Sequence, residues 1–572
     1  MTCPFRHGRT FGLTLLGLAA LAGDSLVAAA APELRIEALS SLQLTEGTPA
    51  SLRFRIRGGR RARLFATRRP PGSRWNEDAR TLRFTPDFIQ GGDSPKLTLT
   101  ATDGRARTST TFSLQIADVI RPAPPEIIER SLEPGVERLL VRQHGDGFLE
   151  ELGRQFDARV VIPTPASRVS PLPVRVYLHG VGDAPFMGGA GDEFRIYPHD
   201  PDTTYWVGRA VGPPGGTTLQ PFTERRALAL VEWVWRSYPG ADRARTYLTG
   251  TSMGGSGALT IGLEHARHFA YVSADLAQTV PRNHRPFRAR QLAQIWGEPG
   301  IRDDLGRDAW DARDLTSLVL SSVEARDQLV HLRFGKDDPT IHFGTFVSPS
   351  PVTNRSFFDA LAEARMGARV VWDEGAHGPK DPRLGPDWWD RFDPIRDGGV
   401  RNDRVFIAFG ASSLDQDPGR GGNGRVPYSA ATGFAGKPEV AFDSGWEGDL
   451  AGQLGAYLRY SPGSVVDDID ELSFEVFLGE RPILPPEAVV ESACASVTPR
   501  RAQAFLLAPL EWVRFRIEGS SGFARADRSG VVTLPRVWLS STPARVTLVR
   551  AGRGPRPAGL SAPRSGGGAR SK

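Results

Sequence analysis

Ser252 lies in the turn Gly250-Thr251-Ser252-Met253-Gly254, where residue types and spacing point to a nucleophile. The β-branched and aromatic run Thr246-Tyr-Leu-Thr249 leads into it, and Gly255 to His265 continues in a helix-compatible pattern. A strand that turns sharply into a helix strains the backbone at its apex and lifts the side chain there above the sheet. Small residues two before and two after the apex then avoid a collision. A Gly/Ser-rich structural turn would have the same composition, so the partners decide. A serine hydroxyl is a poor nucleophile until a base takes its proton, and an imidazole oriented by a carboxylate supplies that base.

A serine on such a turn is followed along the chain by its acid and then its histidine. Beyond the connecting region that holds His265, His268 and His284, the chain offers His331, His342 and His377. His331 sits inside the apolar run Val330-His-Leu-Arg-Phe334 and reads as packing, while His342 is too close to the candidate acid. His377 follows the run Val370-Val-Trp372 in Asp373-Glu-Gly-Ala-His-Gly378, where a loop can carry it back over the serine. For the acid, Phe334-Gly-Lys-Asp-Asp-Pro-Thr340 offers Asp337 and Asp338 just past a strand, and Asp275 is a weaker alternative. Backbone amides must also hold the negative oxygen of a tetrahedral intermediate, each contributing about 3 kcal/mol. Val174-Arg-Val-Tyr-Leu-His-Gly-Val-Gly182 suits one donor at Val181, and Met253, just past the serine, suits the other. His179 fits a structural role in that loop better than a second base.

In this order, LHGVG, GTSMGG, FGKDDP and EGAHG resemble the secreted esterases of the α/β-hydrolase superfamily, in the polyhydroxybutyrate depolymerase, feruloyl esterase and esterase D group. The resemblance covers the middle of the chain only. It implies hydrolysis of acyl esters through an acyl-enzyme, with no cofactor and no metal. Hydrolases of this fold often place the acid three residues after such a glycine, which selects Asp338 and leaves Asp337 as the alternative. The implied site is Ser252, His377 and Asp338, with the amides of Val181 and Met253 as the oxyanion hole. A serine peptidase of the prolyl oligopeptidase type has the same triad. A third reading is a surface- or polymer-binding protein with an auxiliary hydrolase domain.

The elements that must position these residues alternate between strand-like and helical patterns from 135 to 397, which predicts a mostly parallel sheet with helices on both faces. Expected strands include Arg159–Ile162, Val174–Leu178, Tyr205–Val207, Thr246–Thr249, Tyr271–Ser273, Val330–Phe334 and Val370–Trp372. Expected helices start at an N-cap Thr223, running to Arg236, and span Asn354–Arg365. Residues 31–120 alternate with period two, as in Ser51–Ile56 and Lys96–Thr102, and predict a β-sandwich that resembles immunoglobulin- or cadherin-like modules. Arg121-Pro-Ala-Pro-Pro125 opens a linker expected over 121–134. Residues 398–551 return to strand-like runs and predict a second β-sandwich, and the Gly-, Pro-, Ser- and Arg-rich residues 552–572 predict a disordered tail. The expectation is thus a multidomain chain, a central α/β-hydrolase flanked by two β-sandwiches.

The first thirty residues combine Arg6, His7 and Arg9 with an apolar run from Thr10 to Ala22 and a small-residue stretch Ala28–Ala31, the pattern of a secretory signal peptide. That run is shorter than the roughly 20 apolar residues a membrane span needs. The expected location is secreted or periplasmic, with no membrane span. Cys3 leaves with the signal, and Cys494 alone cannot form an intramolecular disulfide. The formal charge of +6 comes from arginines scattered among 65 acidic residues rather than from a basic stripe, so no nucleic-acid partner is expected. The partners expected are an ester-bearing small molecule or polymer, and a surface or polymer reached through the β-modules. Asp415–Gly424 reads as a polar turn rather than a calcium loop, and Trp388, Trp389 and Trp446 as packing aromatics that could also stack on polymer.

Overall fold

The computed structural model describes residues 34–552 apart from 59–61, 104–105, 165–170, 186–190, 213–216, 379–391, 396–398, 420–447, 450, 480–482, 485–487 and 519. The expected signal peptide, the tail beyond 552, Trp388, Trp389 and Trp446 lie outside the described residues, as does the end of the Asp415–Gly424 turn.

Ten strands form the central sheet: β1 (Glu126–Glu133), β2 (Val136–His144), β3 (Gln155–Pro163), β4 (Leu172–Leu178), β5 (Phe194–Tyr197), β6 (Ala241–Thr251), β7 (Tyr271–Asp275), β8 (Leu329–Gly335), β9 (Gly367–Asp373) and β10 (Gly452–Leu454). Their order across the sheet is β1-β2-β3-β5-β4-β6-β7-β8-β9-β10. From β5 to β9 every neighbouring pair is parallel, while β1, β2, β3 and β10 run antiparallel to their neighbours. Parallel strands are apolar along their length because helices cover both faces, and β9 is buried at every position. Helices α1 (Phe222–Ser237) and α2 (Met253–Glu264) pack on this sheet, and α3 (Phe357–Glu363) crosses from β8 to β9.

Local chemistry moved some of the expected elements. Residues 126–133, expected within the 121–134 linker, pair with β2 as the edge strand β1, so the irregular stretch ends at Pro125. Thr223 is not the N-cap of α1. The helix begins at Phe222, Pro221 fills the cap position, and the Thr223 hydroxyl is inside, accepting from Thr204 Oγ1 and Arg226 Nη2. The expected Asn354–Arg365 helix is shorter, because Ser356 accepts from the Asp359 amide and starts it there. Tyr205–Val207 is no strand. Thr203, Tyr205 and Trp206 have positive φ, and the Asp200 carboxylate collects the Thr204 amide, the Thr204 hydroxyl and the Trp206 amide at 2.8–3.1 Å, pinning a tight turn.

The region before the sheet is β-rich. Arg35–Ala38, Ala50–Arg57, Arg74–Asn76 and Thr81–Phe84 form one sheet, and Arg63–Arg68, Lys96–Thr102 and Arg107–Ser113 another. Leu52, Phe54, Leu64, Leu82, Leu97 and Leu99 share one apolar cluster. Beyond residue 400 the chain adds the sheet of Phe406–Gly410, Ser492–Arg500 and Leu534–Ser540 and a larger antiparallel sheet built around Glu471–Leu478 and Ala544–Gly552. Their cluster includes Tyr247, Tyr271, Leu329 and Val371 from the central sheet, so one continuous apolar layer joins the two regions. Among the described residues no helix is long and apolar enough to cross a membrane.

Candidate active site

The chemistry-bearing residues leave the sheet at one edge. β6 ends at Thr251, β8 at Gly335, β9 at Asp373 and β4 at Leu178, so the loops carrying Ser252, Asp338, His377 and Val181 all emerge from the carboxyl ends of parallel strands.

Ser252 has φ 62° and ψ −123°, a conformation a side chain rarely adopts, and surrounding bonds hold it there. Its amide donates to the Asp275 carbonyl at 2.9 Å. Its carbonyl accepts from the Ser256 amide at 2.9 Å and the Ser256 hydroxyl at 3.0 Å. The flanking glycines are dictated by contact: a Cβ on Gly250 would stand 2.2 Å from the Gly254 carbonyl oxygen, and one on Gly254 would stand 2.0 Å from that of Leu178.

The structure brings three of the sequence-predicted side chains together. His377 Nε2 lies 2.7 Å from Ser252 Oγ, and His377 Nδ1 lies 2.7 Å from Asp338 Oδ2. Asp338 is buried, and its other oxygen accepts the amides of Thr340 at 2.7 Å and Ile341 at 2.9 Å, which aims the carboxylate at the ring. The carboxylate on Nδ1 is therefore that of Asp338 and not of Asp337. Asp275 is engaged elsewhere, facing Arg333 Nε at 3.7 Å.

The loop after β4 runs beside the serine, since a Cβ on Gly180 would lie 3.9 Å from Ser252 Cβ. Val181 is half exposed there. Met253 is buried as the first residue of α2, where helix amides have no intrahelical acceptor. His179 braces this loop. The Asp200 amide donates to its Nε2 at 3.0 Å, which leaves the proton on Nδ1 to donate to the Gly180 carbonyl at 2.7 Å. Trp206 Nε1 donates to the His179 carbonyl at 3.2 Å, and the Trp206 ring lies against the position where a Gly257 Cβ would be.

Sequence reasoning missed several supports. Arg333 Nη2 donates to the Gly378 carbonyl at 2.9 Å, steadying the loop that carries His377, and Arg285 Nη2 donates to the Asp338 carbonyl at 3.0 Å. The signal for Arg333 was a lone arginine in the apolar run of β8, and nothing in the sequence gave its target or pointed to Arg285. The other late histidines have different work. His342 Nδ1 accepts the Gly344 amide at 2.9 Å, and burial pushes the His342 and His284 imidazoles well below the usual histidine range.

Among the described residues, Glu224, Glu264 and His265 approach one another closely enough to share a cation. His265 Nε2 already bonds Glu224 Oε1 at 2.8 Å, and the Arg313 guanidinium reaches Glu264 at 3.1 Å, so these carboxylates already have cationic partners.

Residues 208–364 match the model of a family described as "Putative esterase". That span contains Ser252 and Asp338 and stops short of His377. Among solved structures, the chain is similar to an S-formylglutathione hydrolase from Agrobacterium tumefaciens, with 19% identity, 44% of this chain and 92% of that one covered, and a TM-score of 0.33. It is also similar to an S-formylglutathione hydrolase from Staphylococcus aureus, with 15% identity, 42% and 92% covered, and a TM-score of 0.29. An acylaminoacyl peptidase from Pyrococcus horikoshii matches at 14% identity, 50% of each chain and a TM-score of 0.28. Among curated proteins, none matches this chain. The family match, lying on a parallel sheet whose sixth strand turns through Ser252 into α2, supports an α/β-hydrolase domain of the esterase kind.

Proposed function

We propose that the chain is an exported serine hydrolase that cleaves carboxylic esters through an acyl-enzyme. The observation that carries this reading is the pair of 2.7 Å contacts from His377, one to Ser252 Oγ and one to Asp338. In the proposed cycle Ser252 Oγ attacks the acyl carbon as its proton passes to His377 Nε2. Asp338 holds Nδ1–H and stabilises the imidazolium without taking its proton. The carbonyl oxygen becomes an oxyanion between the amides of Val181 and Met253, each worth about 3 kcal/mol. The tetrahedral species collapses, Nε2–H protonates the leaving alkoxide, and the alcohol departs. Water then attacks the acyl-serine with His377 again as base, releasing the carboxylic acid and restoring Ser252. Every step uses side chains and amides of this chain.

The leader-like first thirty residues support export to the periplasm or the medium. Substrates of this reading are ester-bearing small molecules or polymers, with the flanking β-rich regions as candidate polymer contacts. The test compares wild type with Ser252→Ala on a panel of p-nitrophenyl esters and matched anilides, alongside fluorophosphonate labelling. The expected result is ester turnover that falls by at least about 10⁴ in the variant, with labelling abolished. Ester turnover or labelling that survives the substitution would overturn the nucleophile. A wild type that prefers anilides would overturn the bond assignment.

A further inference from the structure

Away from Ser252, a cavity of about 620 Å³ opens where the N-terminal β-rich region, the central sheet and the region after residue 399 meet. Its walls include Arg243 and Ala244 near the start of β6, whereas Ser252 follows the end of that strand. At about 3.3 Å per residue, the cavity and the serine are roughly 26 Å apart, at opposite edges of the sheet.

The charges in this cavity do not balance. Arg243 is matched by Asp93 at 2.7 Å, and Arg401 by Asp403 and Asp242 at 2.8 Å each. Asp467 is held by the amides of Gln503 at 2.6 Å and Phe505 at 2.8 Å. The lining carboxylates are thus committed. The exposed side chains of Arg68 and Arg404 also line the cavity, and among the described residues neither guanidinium has an ion pair or a hydrogen bond. Arg69 donates to the carbonyls of Ser73 at 2.9 Å and Ala502 at 3.3 Å, and Lys96 to the Ser113 hydroxyl at 3.1 Å, so both leave their charge without a carboxylate. Cations that line one cavity repel one another, and an anion between them removes that repulsion. Burial also pushes the Arg69 guanidinium down, against the pull of Asp327 and Asp467.

We infer that this three-region cavity is a binding site for a small polyanion, a ligand of about di- to trisaccharide size carrying two or more carboxylate, sulfate or phosphate groups. The volume lies in the range of ligand pockets, about 300–1,000 Å³. Trp235 and Tyr460 add ring surface to the polar walls. A ligand there touches all three regions at once and stabilises their assembly, because it binds the folded chain and not the unfolded one.

The test uses the full-length chain, titrated by calorimetry and by ligand-dependent Tm with trigalacturonate, pyrophosphate and, as the neutral control, maltotriose. Binding of at least one polyanion and not of maltotriose is expected, weakening as salt rises. The double substitution Arg68→Glu with Arg404→Glu should weaken it by at least about tenfold. Arg68→Gln with Arg404→Gln should weaken it less, and Ser252→Ala should leave it unchanged. Because Arg68 and Arg404 make no ion pair and lie far from Ser252, ester turnover of both double variants should match wild type and their ligand-free Tm should not fall. Whether trigalacturonate or pyrophosphate binds tighter identifies the source of the acid groups. The site is overturned if no polyanion binds, if maltotriose binds equally well, or if binding survives the double Glu substitution.

Discussion

At the residue scale, the proposed chemistry depends on which of two adjacent carboxylates serves the imidazole. Asp337 and Asp338 are both buried, so burial does not separate them. Direction does: Asp338 sends one oxygen to His377 and anchors the other on two amides, an arrangement that fixes its rotamer before any substrate arrives. Asp338→Asn should therefore lower kcat by about 10⁴ while KM stays nearly constant, because the amide favours the wrong imidazole tautomer without altering binding. Asp337→Asn should keep kcat within about tenfold of wild type. Steady-state kinetics on one p-nitrophenyl ester check both, and equal losses would remove the assignment. The sequence narrowed the acid to this pair. It could not choose between them from residue type, since the choice is a matter of where each Cβ points.

At the scale of elements, the elbow is the meeting of β6, α2 and the end of β4. Gly254 is packed against the Leu178 carbonyl so closely that a methyl group has no room. Gly254→Ala must push apart α2 and β4, the elements that carry the two proposed oxyanion amides. Overpacking of this kind costs about 1–3 kcal/mol. The expected outcome is a lower Tm by thermal denaturation, together with a fall in kcat larger than that lost stability explains. An unchanged Tm and kcat would show that the contact can relax freely. This constraint was readable in the Gly-x-Ser-x-Gly spacing. The neighbouring turn at 203–206 was not: Tyr205-Trp206-Val207 has the composition of a strand, and it becomes a positive-φ turn because the nearby Asp200 carboxylate captures the Thr204 and Trp206 amides and Trp206 packs on Gly257.

At the scale of the whole molecule, the region after residue 400 is part of the hydrolase scaffold. Its strand β10 closes the edge of β9, which leads to His377. The carbonyl of Asp449 accepts from Lys336 Nζ at 3.0 Å and Trp372 Nε1 at 3.1 Å, and Lys336 is two residues before Asp338. Lys336 is buried, and removing a hydrogen-bond acceptor from a buried donor costs about 1–3 kcal/mol, and more when the donor is charged. A chain truncated after residue 398 should accordingly be insoluble or inactive towards esters, even though it keeps Ser252, Asp338 and His377. Expression with size-exclusion chromatography and fluorophosphonate labelling checks this, and a soluble, labelled fragment of wild-type activity would show that the hydrolase stands alone.

The sequence by itself singled out Ser252, His377, a pair of neighbouring carboxylates and the alternation that makes a parallel sheet, because each is written in local spacing: glycines two either side of a serine, a histidine in a loop past the last parallel strand, and apolar runs separated by helices. The family resemblance preferred Asp338, but only the tertiary structure placed its carboxylate on His377, paired residues 126–133 and 452–454 with the sheet at its two edges, set Arg285, Arg333 and Lys336 against the loops bearing Asp338 and His377, and brought arginines without ion pairs to one cavity between three regions. Apart from the 126–133 hairpin, those facts rest on contacts between residues tens to hundreds of positions apart. Such contacts are set by how apolar faces stack and where backbone acceptors fall, which one-dimensional spacing does not encode.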